Sequence, residues 1–186
     1  TLHDAVNRIV KSLTGSKDGR VTSVTTWLEG KPLRLVSAYA PGGVTSHTRP
    51  AFFTNILAPH MTGRTILSID ANCVPDTALD TMRPASATTA YDNRGATELA
   101  ALMTSKGLVD IAREQLGDNR LYTAHHNTAA GLTRTRIDQI YVPMVDGLLW
   151  THSTNHAFAP TAPIIAGPID HVALEVRLDV AKGEPG

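Results

Sequence analysis

The most informative stretch for the fold is Arg136-Ile137-Asp138-Gln139-Ile140-Tyr141-Val142, because it places a carboxylate at the start of a strand-like apolar run. Two other stretches, far away in the chain, have a related layout. Ile66-Leu67-Ser68-Ile69-Asp70-Ala71-Asn72 ends an apolar run in polar residues, and Ile169-Asp170-His171-Val172-Ala173-Leu174 places an Asp-His pair before another run. We expect the strand ends to bring the polar residues of all three stretches to one rim of the fold.

These residue types suit metal-assisted hydrolysis of a phosphodiester. One Asp can orient the His, another can position the attacking water, and the carboxylate oxygens suit a hard cation. Each short motif also has a purely structural explanation, because Asp and Asn are favoured in turns at strand ends and an Asp-His pair is common in surface turns. The functional interpretation depends on the motifs occurring together and in order.

That order resembles the endonuclease/exonuclease/phosphatase superfamily, whose members have the DNase-I-like fold. Gly19 to Val24 and Leu35 to Pro41 resemble the family's central hairpin and its strand-Tyr-x-Pro turn. The three stretches quoted above resemble its Gly-Asp-x-Asn, Ser-Arg-Ile-Asp and Ser-Asp-His motifs, with Ile69 where Gly is usual and Ile169 in place of Ser. The phrasing is most similar to the apurinic-like endonucleases of non-LTR (LINE-type) retrotransposons.

The resemblance implies a role for each residue. Asp70 would orient or deprotonate the attacking water, and the Asn72 amide would hold a phosphate oxygen or a water on the cation. Asp138 would hydrogen-bond to His171 and fix its tautomer, while His171 neutralises charge at phosphorus. Asp170 would hold Mg²⁺ or Mn²⁺. The structural alternative for Asp138 is an ion pair with Arg134 or Arg136.

Tyr39 has two interpretations. Its phenol would bond a phosphate oxygen by resemblance, whereas the commoner fate of such a residue is that of a half-buried strand aromatic.

The chain departs from the family pattern at its start. Members normally begin with a strand carrying an Asn, and a second strand ends in the Glu that is the principal metal ligand. Asn7 lies instead in a helix-like pattern. We therefore expect a two-sheet α/β sandwich that is incomplete at its N-terminus, with residues 1–182 as the C-terminal two-thirds of the domain and 183–186 as a tail. Asp76 and Glu98 are the first candidates to replace the missing Glu.

Composition narrows the class of protein. The chain has 186 residues, a normal size for one domain, and a formal net charge of +0, so any phosphate-binding face must be local. The single Cys73 excludes an internal disulfide framework. No apolar run approaches the length of a bilayer span. We expect an intracellular protein, nuclear or cytoplasmic.

The pattern also predicts individual elements. A helix is expected from Leu2 to Leu13 with Gly15 as its stop, a hairpin around Gly30, a strand from Thr65 to Ile69 and a helix from Ala96 to Lys106. Val74 to Asn93 should be a long irregular surface loop. Further strands are expected at residues 108–111, 137–142 and 172–178. Two groups are expected at the surface: the scattered arginines Arg49, Arg64, Arg94, Arg134 and Arg136, and the loop histidines His125, His126, His152 and His156.

The resulting hypothesis is a Mg²⁺-dependent DNA endonuclease that contacts the phosphate backbone and derives from a retroelement. A reverse transcriptase in the parent polyprotein is then a partner, and uncovered sheet surface would drive self-association. Three alternatives remain open: another phosphodiesterase or phosphatase of the superfamily acting on lipid, an RNA deadenylase, and a catalytically dead nucleic-acid-binding or scaffolding remnant. The absent Glu favours the last of these.

Overall fold

A six-stranded sheet forms the centre of the fold in a computed structural model that describes residues 12–28, 30–128, 130–144, 171 and 174. Its strands are β1 (Ser12–Gly15), β2 (Val21–Leu28), β3 (Lys31–Tyr39), β4 (Thr65–Asp70), β6 (Leu108–Asp110) and β9 (Asp138–Pro143). They lie in the order β1-β2-β3-β4-β9-β6, and only β3 and β4 run parallel to each other. The predicted hairpin of β2 and β3 and the predicted strand β4 are therefore confirmed.

A second sheet has three strands, β5 (Thr81–Met82), β7 (Ala124–Thr128) and β8 (Gly131–Thr135), in the order β5-β8-β7. Only Arg136 and Ile137 separate β8 from β9, so the chain passes directly from the small sheet into the large one. This short connection places the start of β9 between the two sheets.

Helical residues cover one face of the large sheet. Residues 43–60 form consecutive short turns of 3-10, α and π helix, and a longer helix runs over Ala96–Lys106 before ending at Gly107 in the left-handed region. The core lies between these helices and the sheet, and its fully buried members include Phe53, Leu57, Leu67, Ile69 and Leu99. In β4 the buried residues alternate with Ile66, Ser68 and Asp70, which is the period-2 pattern of a strand buried on one face.

Two predicted elements are wrong. The expected N-terminal helix does not extend to Leu13, because Ser12–Gly15 is a strand in which Leu13 pairs with Val24. Residues 1–11 lie outside the described range. At Ser12 and Leu13, pairing with the edge of the sheet overrides the apolar spacing that favours a helix.

The region from Val74 to Asn93 is not a wholly irregular surface loop. It contains helix α1 (Thr77–Asp80) and strand β5, and Val74 and Asp80 are completely buried. Asp76 is the N-cap of α1 and accepts hydrogen bonds from the Ala78 and Leu79 amides.

Three further elements have no counterpart in the sequence-based expectations. They are helix α3 (Ile111–Leu116), which Asp110 caps, and strands β7 and β8. The helix Ala96–Lys106 is α2. The expected strand 172–178 and tail 183–186 lie outside the described residues. In the described part of the chain, no helix combines the length and apolar character needed to cross a membrane.

Candidate active site

Asp70 and Asp138 lie side by side at the rim of the large sheet. Asp70 is the last residue of β4, Asp138 is the first of β9, and the two are direct cross-strand partners. Strand alternation points both carboxylates away from the face on which Ile69 and Gln139 are buried. Carboxylates placed directly opposite each other repel, so this pair needs a compensating positive charge.

His171 approaches the same pair from beyond β7. A bridge between the backbones of Ala124 and His171 brings the histidine to the start of the small sheet. Its Nδ1 lies 2.8 Å from Oδ2 of Asp138. One ligand atom from each of Asp70, Asp138 and His171 lies within 4.8 Å of the others. The predicted proximity of these three residues is therefore present in the fold.

Arg136 does not form the ion pair with Asp138 that the structural alternative requires. The Arg136 guanidinium is completely buried and forms ion pairs with Asp80, at 2.7 Å, and with Asp110, also at 2.7 Å. Arg113 also pairs with Asp80. Arg136 was expected at the surface, and its burial is a correction. It turns inward because the peptide between β8 and β9 runs through the interior, where buried carboxylates can compensate its charge.

Asn72 sits in a strained turn directly after β4. It has a φ of 50°, in the left-handed region that non-glycine residues seldom adopt. Its backbone N–H donates to Oδ1 of Asp70 at 2.9 Å, and its Nδ2 donates to the carbonyl of Ala40 at 2.9 Å. The side chain therefore already anchors the neighbouring strand end, and its Oδ1 remains directed at Gly42, where a Cβ atom would lie 2.7 Å away.

Tyr39 lies beside Asp70, its partner in the parallel pairing of β3 and β4. Tyr39 is 53% exposed, which matches the half-buried strand aromatic of the structural interpretation and leaves part of its surface open to solvent. The Arg20 guanidinium lies 5.3 Å from the centre of the ring, a cation–π distance. The phenol is thus accessible at the same rim.

The surroundings of Asp70 disfavour its negative charge. Burial raises the pKa of this carboxyl, and the charge of Asp138 raises it further, while the Asn72 amide and the positive charges of His171 and Arg49 lower it. A divalent cation at the rim would relieve the same cost.

Arg49 was expected at the surface but is only 2% exposed. Its Nε donates to the carbonyl of Pro41 at 2.7 Å, and its Nη1 donates to the carbonyl of Arg94 at 2.8 Å. The guanidinium therefore ties the segment after β3 to the segment before α2. Its buried charge is one of the influences that lower the pKa of Asp70.

A cavity of about 300 Å³ opens beneath the acidic pair. Its lining includes the two carboxylates, His171, and the exposed hydroxyl-bearing residues Ser37 and Ser68. Ser37 and Ser68 are cross-strand partners, and each lies two residues before Tyr39 or Asp70 in its own strand. The site is therefore a polar concavity rather than a flat edge.

The donor set fits a hard cation only in part. Two ligands of one Mg²⁺ lie at most about 4.2 Å apart, so a set spanning 4.8 Å suits direct contact with some members and water-bridged contact with the rest. Among the described residues, this is the only group of three or more His, Cys, Asp or Glu side chains close enough together to hold a metal ion. Neither Asp76 nor Glu98 joins it, nor do His125 and His126. Asp170 lies outside the described residues.

The site contains residues that sequence reasoning missed. Asp80, Thr123 and Gln139 are buried polar residues that hold the rim from behind; Thr123 accepts a hydrogen bond from the Asp138 amide at 3.0 Å. The sequence does carry a sign of such a residue: Gln139 is a polar residue at a strand position, between Asp138 and Ile140, whose side chain points inward.

Comparisons with known proteins place the fold but give no close relative. No family model and no curated protein sequence matches the chain. Among solved structures, the 3′ phosphatase NExo from Neisseria, bound to a product DNA hairpin, aligns with a TM-score of 0.55 and 17% identity over 74% of this chain and 60% of that one. An AP endonuclease from Archaeoglobus fulgidus aligns with a TM-score of 0.54 and 16% identity over 72% of this chain and 58% of that one.

A further match, the endonuclease domain of the telomere-specific non-LTR retrotransposon TRAS1, has a TM-score of 0.47 and 15% identity over 72% of this chain and 56% of that one. The conclusion about the fold rests on the two higher-scoring structures. This chain spans between 56% and 60% of the length of the three proteins. It has the DNase-I-like fold that the order of its motifs predicted.

Proposed function

We propose that this chain carries the catalytic rim of a metal-dependent phosphodiesterase that nicks DNA. The observation that supports the proposal most strongly is the convergence of Asp70, Asp138 and His171 within 4.8 Å, with Asn72 and Tyr39 at the same rim. Hydrolysis of a phosphodiester requires groups that activate water and groups that stabilise charge growing on the phosphate, and this rim offers both.

The residues divide the chemistry among them. Asp70 orients the attacking water and receives its proton, a task that a raised pKa favours. Asp138 accepts a hydrogen bond from Nδ1 of His171 at 2.8 Å, which orients the ring so that Nε2 points toward substrate. In its protonated form, His171 donates from Nε2 to a phosphate oxygen, and the Tyr39 phenol donates to another.

Asp70 and Asp138, together with Asp170, are the residues that would hold Mg²⁺ or Mn²⁺. When bound, the cation would supply charge stabilisation at the phosphate. The remaining functions of the site belong to the side chains. Because the described residues bring only Asp70 and Asp138 as carboxylates to this cluster and the cluster is wide, we expect weak metal affinity and slow turnover.

DNA is the proposed substrate because a solved structure with the same fold holds a DNA product. Three finer predictions rest on the motif order alone: descent from a retroelement, association with a reverse transcriptase, and residues 1–182 as two-thirds of a longer domain. They remain predictions, as does an intracellular location.

A catalytically inactive nucleic-acid-binding remnant is the second candidate. The observation that favours it is the use of Asn72 as a structural anchor, since its Nδ2 donates to Ala40. The presence of only two carboxylates in the cluster, in the part of the chain that the structure describes, points the same way.

A substrate panel tests the proposal. The chain is incubated with supercoiled plasmid, with polyadenylated RNA and with phosphoinositide vesicles, each with Mg²⁺, Mn²⁺ or EDTA. We expect slow metal-dependent conversion of plasmid to the nicked circle and no release of product from RNA or lipid. His125→Ala, a histidine outside the cluster, is the control for His171→Ala.

Two outcomes would overturn the proposal. Faster hydrolysis of lipid or RNA would assign another substrate class. Binding of plasmid without nicking in either metal would favour the inactive remnant.

A further inference from the structure

Gln139 is buried behind the catalytic rim and makes a complete set of hydrogen bonds there. It is 1% exposed and lies between Asp138 and Ile140 in β9, with its side chain on the face opposite the Asp138 carboxylate. Its Nε2 donates to the carbonyl of Cys73 at 2.9 Å and more weakly to the carbonyl of Arg136 at 3.4 Å. Its Oε1 accepts from the Tyr141 hydroxyl at 2.7 Å.

Tyr141 determines which way this amide points. A phenol that donates to Oε1 leaves only Nε2 to face the Cys73 carbonyl. Burial raises the pKa of Tyr141, so the phenol keeps the proton that it donates. The amide is therefore held in one orientation by its neighbour two residues along the strand.

The Gln139 amide closes a turn that carries two site residues. The peptide from Asp70 to Cys73 is attached to the start of β9 at two points: the Ala71 N–H donates to the Ile137 carbonyl at 2.8 Å, and Gln139 holds the Cys73 carbonyl. Asn72 lies between the two attachments with its φ of 50°. A non-glycine residue in this region persists where its surroundings fix it.

We propose that Gln139 is a positioning residue, which holds the Asp70–Cys73 turn against the start of β9 and so keeps Asp70 and Asn72 in register with Asp138. The inference deepens the proposed function and rests on it for its catalytic consequence. The Gln139 side chain lies on the face opposite the Asp138 carboxylate, so it acts on the rim through other groups. Its effect reaches the rim through the Cys73 carbonyl and the strained residue before it.

The test uses Gln139→Met, which keeps the approximate size of the side chain and loses its hydrogen bonds to Cys73, Arg136 and Tyr141.

Hydrogen exchange is the first readout, since it does not require activity. In Gln139→Met, we expect the Ala71 and Asn72 amides to exchange at least about tenfold faster, while core amides such as that of Leu67 are unchanged. Gln115→Met, at a half-buried position in α3, is the matched control and should change nothing at the rim.

Plasmid nicking is the second readout. We expect Gln139→Met to lower kcat about 10- to 100-fold with little change in KM, while Gln115→Met keeps the wild-type kcat.

The outcomes separate the two proposals. Unchanged exchange in Gln139→Met would overturn the proposal that Gln139 holds the Asp70–Cys73 turn. Faster exchange with normal kcat would overturn its catalytic role. A wild type without nicking would instead refute the proposed function, and exchange would still decide whether Gln139 holds the turn.

Discussion

At the scale of single residues, a charged Asp70 beside Asp138 lowers the free energy of unfolding. Burial and the neighbouring carboxylate raise the pKa of Asp70 above its value in the unfolded chain, where it is about 3.9. The folded state therefore binds the proton more tightly than the unfolded state. This contribution lowers stability as pH rises through the interval between the two pKa values, and it vanishes below about pH 3.9.

Asp70→Asn should therefore stabilise the metal-free protein at neutral pH. The Asn oxygen can still accept the hydrogen bond from the Asn72 amide. We expect Tm in EDTA to rise by about 2–4 °C at about pH 7, and the gain to disappear in acid. Differential scanning calorimetry at both pH values measures it. A lower Tm for the variant at neutral pH would mean that Asp70 is stabilised as a carboxylate by charges not considered above.

Gly42 is required by the position of Asn72 rather than by its own backbone. A Cβ atom there would lie 2.7–3.0 Å from three atoms of the Asn72 side chain. Gly42→Ala should push Asn72 out of its turn, cost about 1–3 kcal/mol of unfolding free energy and reduce nicking. The control is Gly63→Ala, whose Cβ would meet only the Lys106 carbonyl at an ordinary 3.6 Å. Equal effects in the two variants would argue against a steric role for Gly42.

At the scale of elements, the strands that deliver the site could be read from the sequence because each combines an apolar run with a polar end. The β4 strand ending in Asp70 and the β9 strand beginning at Asp138 lie where the pattern placed them. Strand β1 could not be read, since its helical spacing is overridden by pairing with β2. The inward turn of Arg136 was also hidden, because it depends on Asp80 and Asp110, which are distant in sequence.

The buried ion cluster around Arg136 joins three elements behind the rim. Arg136 precedes β9, Asp80 ends α1 and Asp110 ends β6, and all three are at most 10% exposed. Arg136→Met should cost about 3–5 kcal/mol in urea unfolding, because Asp110 loses its ion pair with Arg136 and the buried Asp80 keeps only the one with Arg113. The exposed pair of Arg94 and Asp92, 3.6 Å apart, supplies the control: Arg94→Met should cost at most about 1 kcal/mol.

The double variant Arg136→Met with Asp80→Leu extends this test. If unpaired charge is the cause, removing the second partner should restore part of the lost stability. Additive losses would mean that packing of the Arg136 side chain matters more than its charge.

At the scale of the whole molecule, the large sheet carries exposed apolar side chains at its β1 side. Leu13, Val24 and Leu35 are successive cross-strand partners, and Leu13 and Leu35 are 68% and 40% exposed. A contiguous apolar row of this kind favours association. We expect light scattering to detect self-association that a Leu13→Lys, Leu35→Lys double variant reduces. A wild type that stays monomeric at high concentration would refute this.

Asp70, Asp138 and His171 are proposed to form one metal-dependent catalytic centre. The most direct measurement is the initial rate of plasmid nicking as Mg²⁺ is titrated, for the wild type, Asp138→Asn and His171→Ala. We predict a slow wild-type rate that rises across millimolar Mg²⁺, and losses of at least about 10²-fold in both variants, with a double variant no slower than either, because residues acting as a unit are not additive. Wild-type rates in either variant, or nicking that persists in EDTA, would contradict the claim.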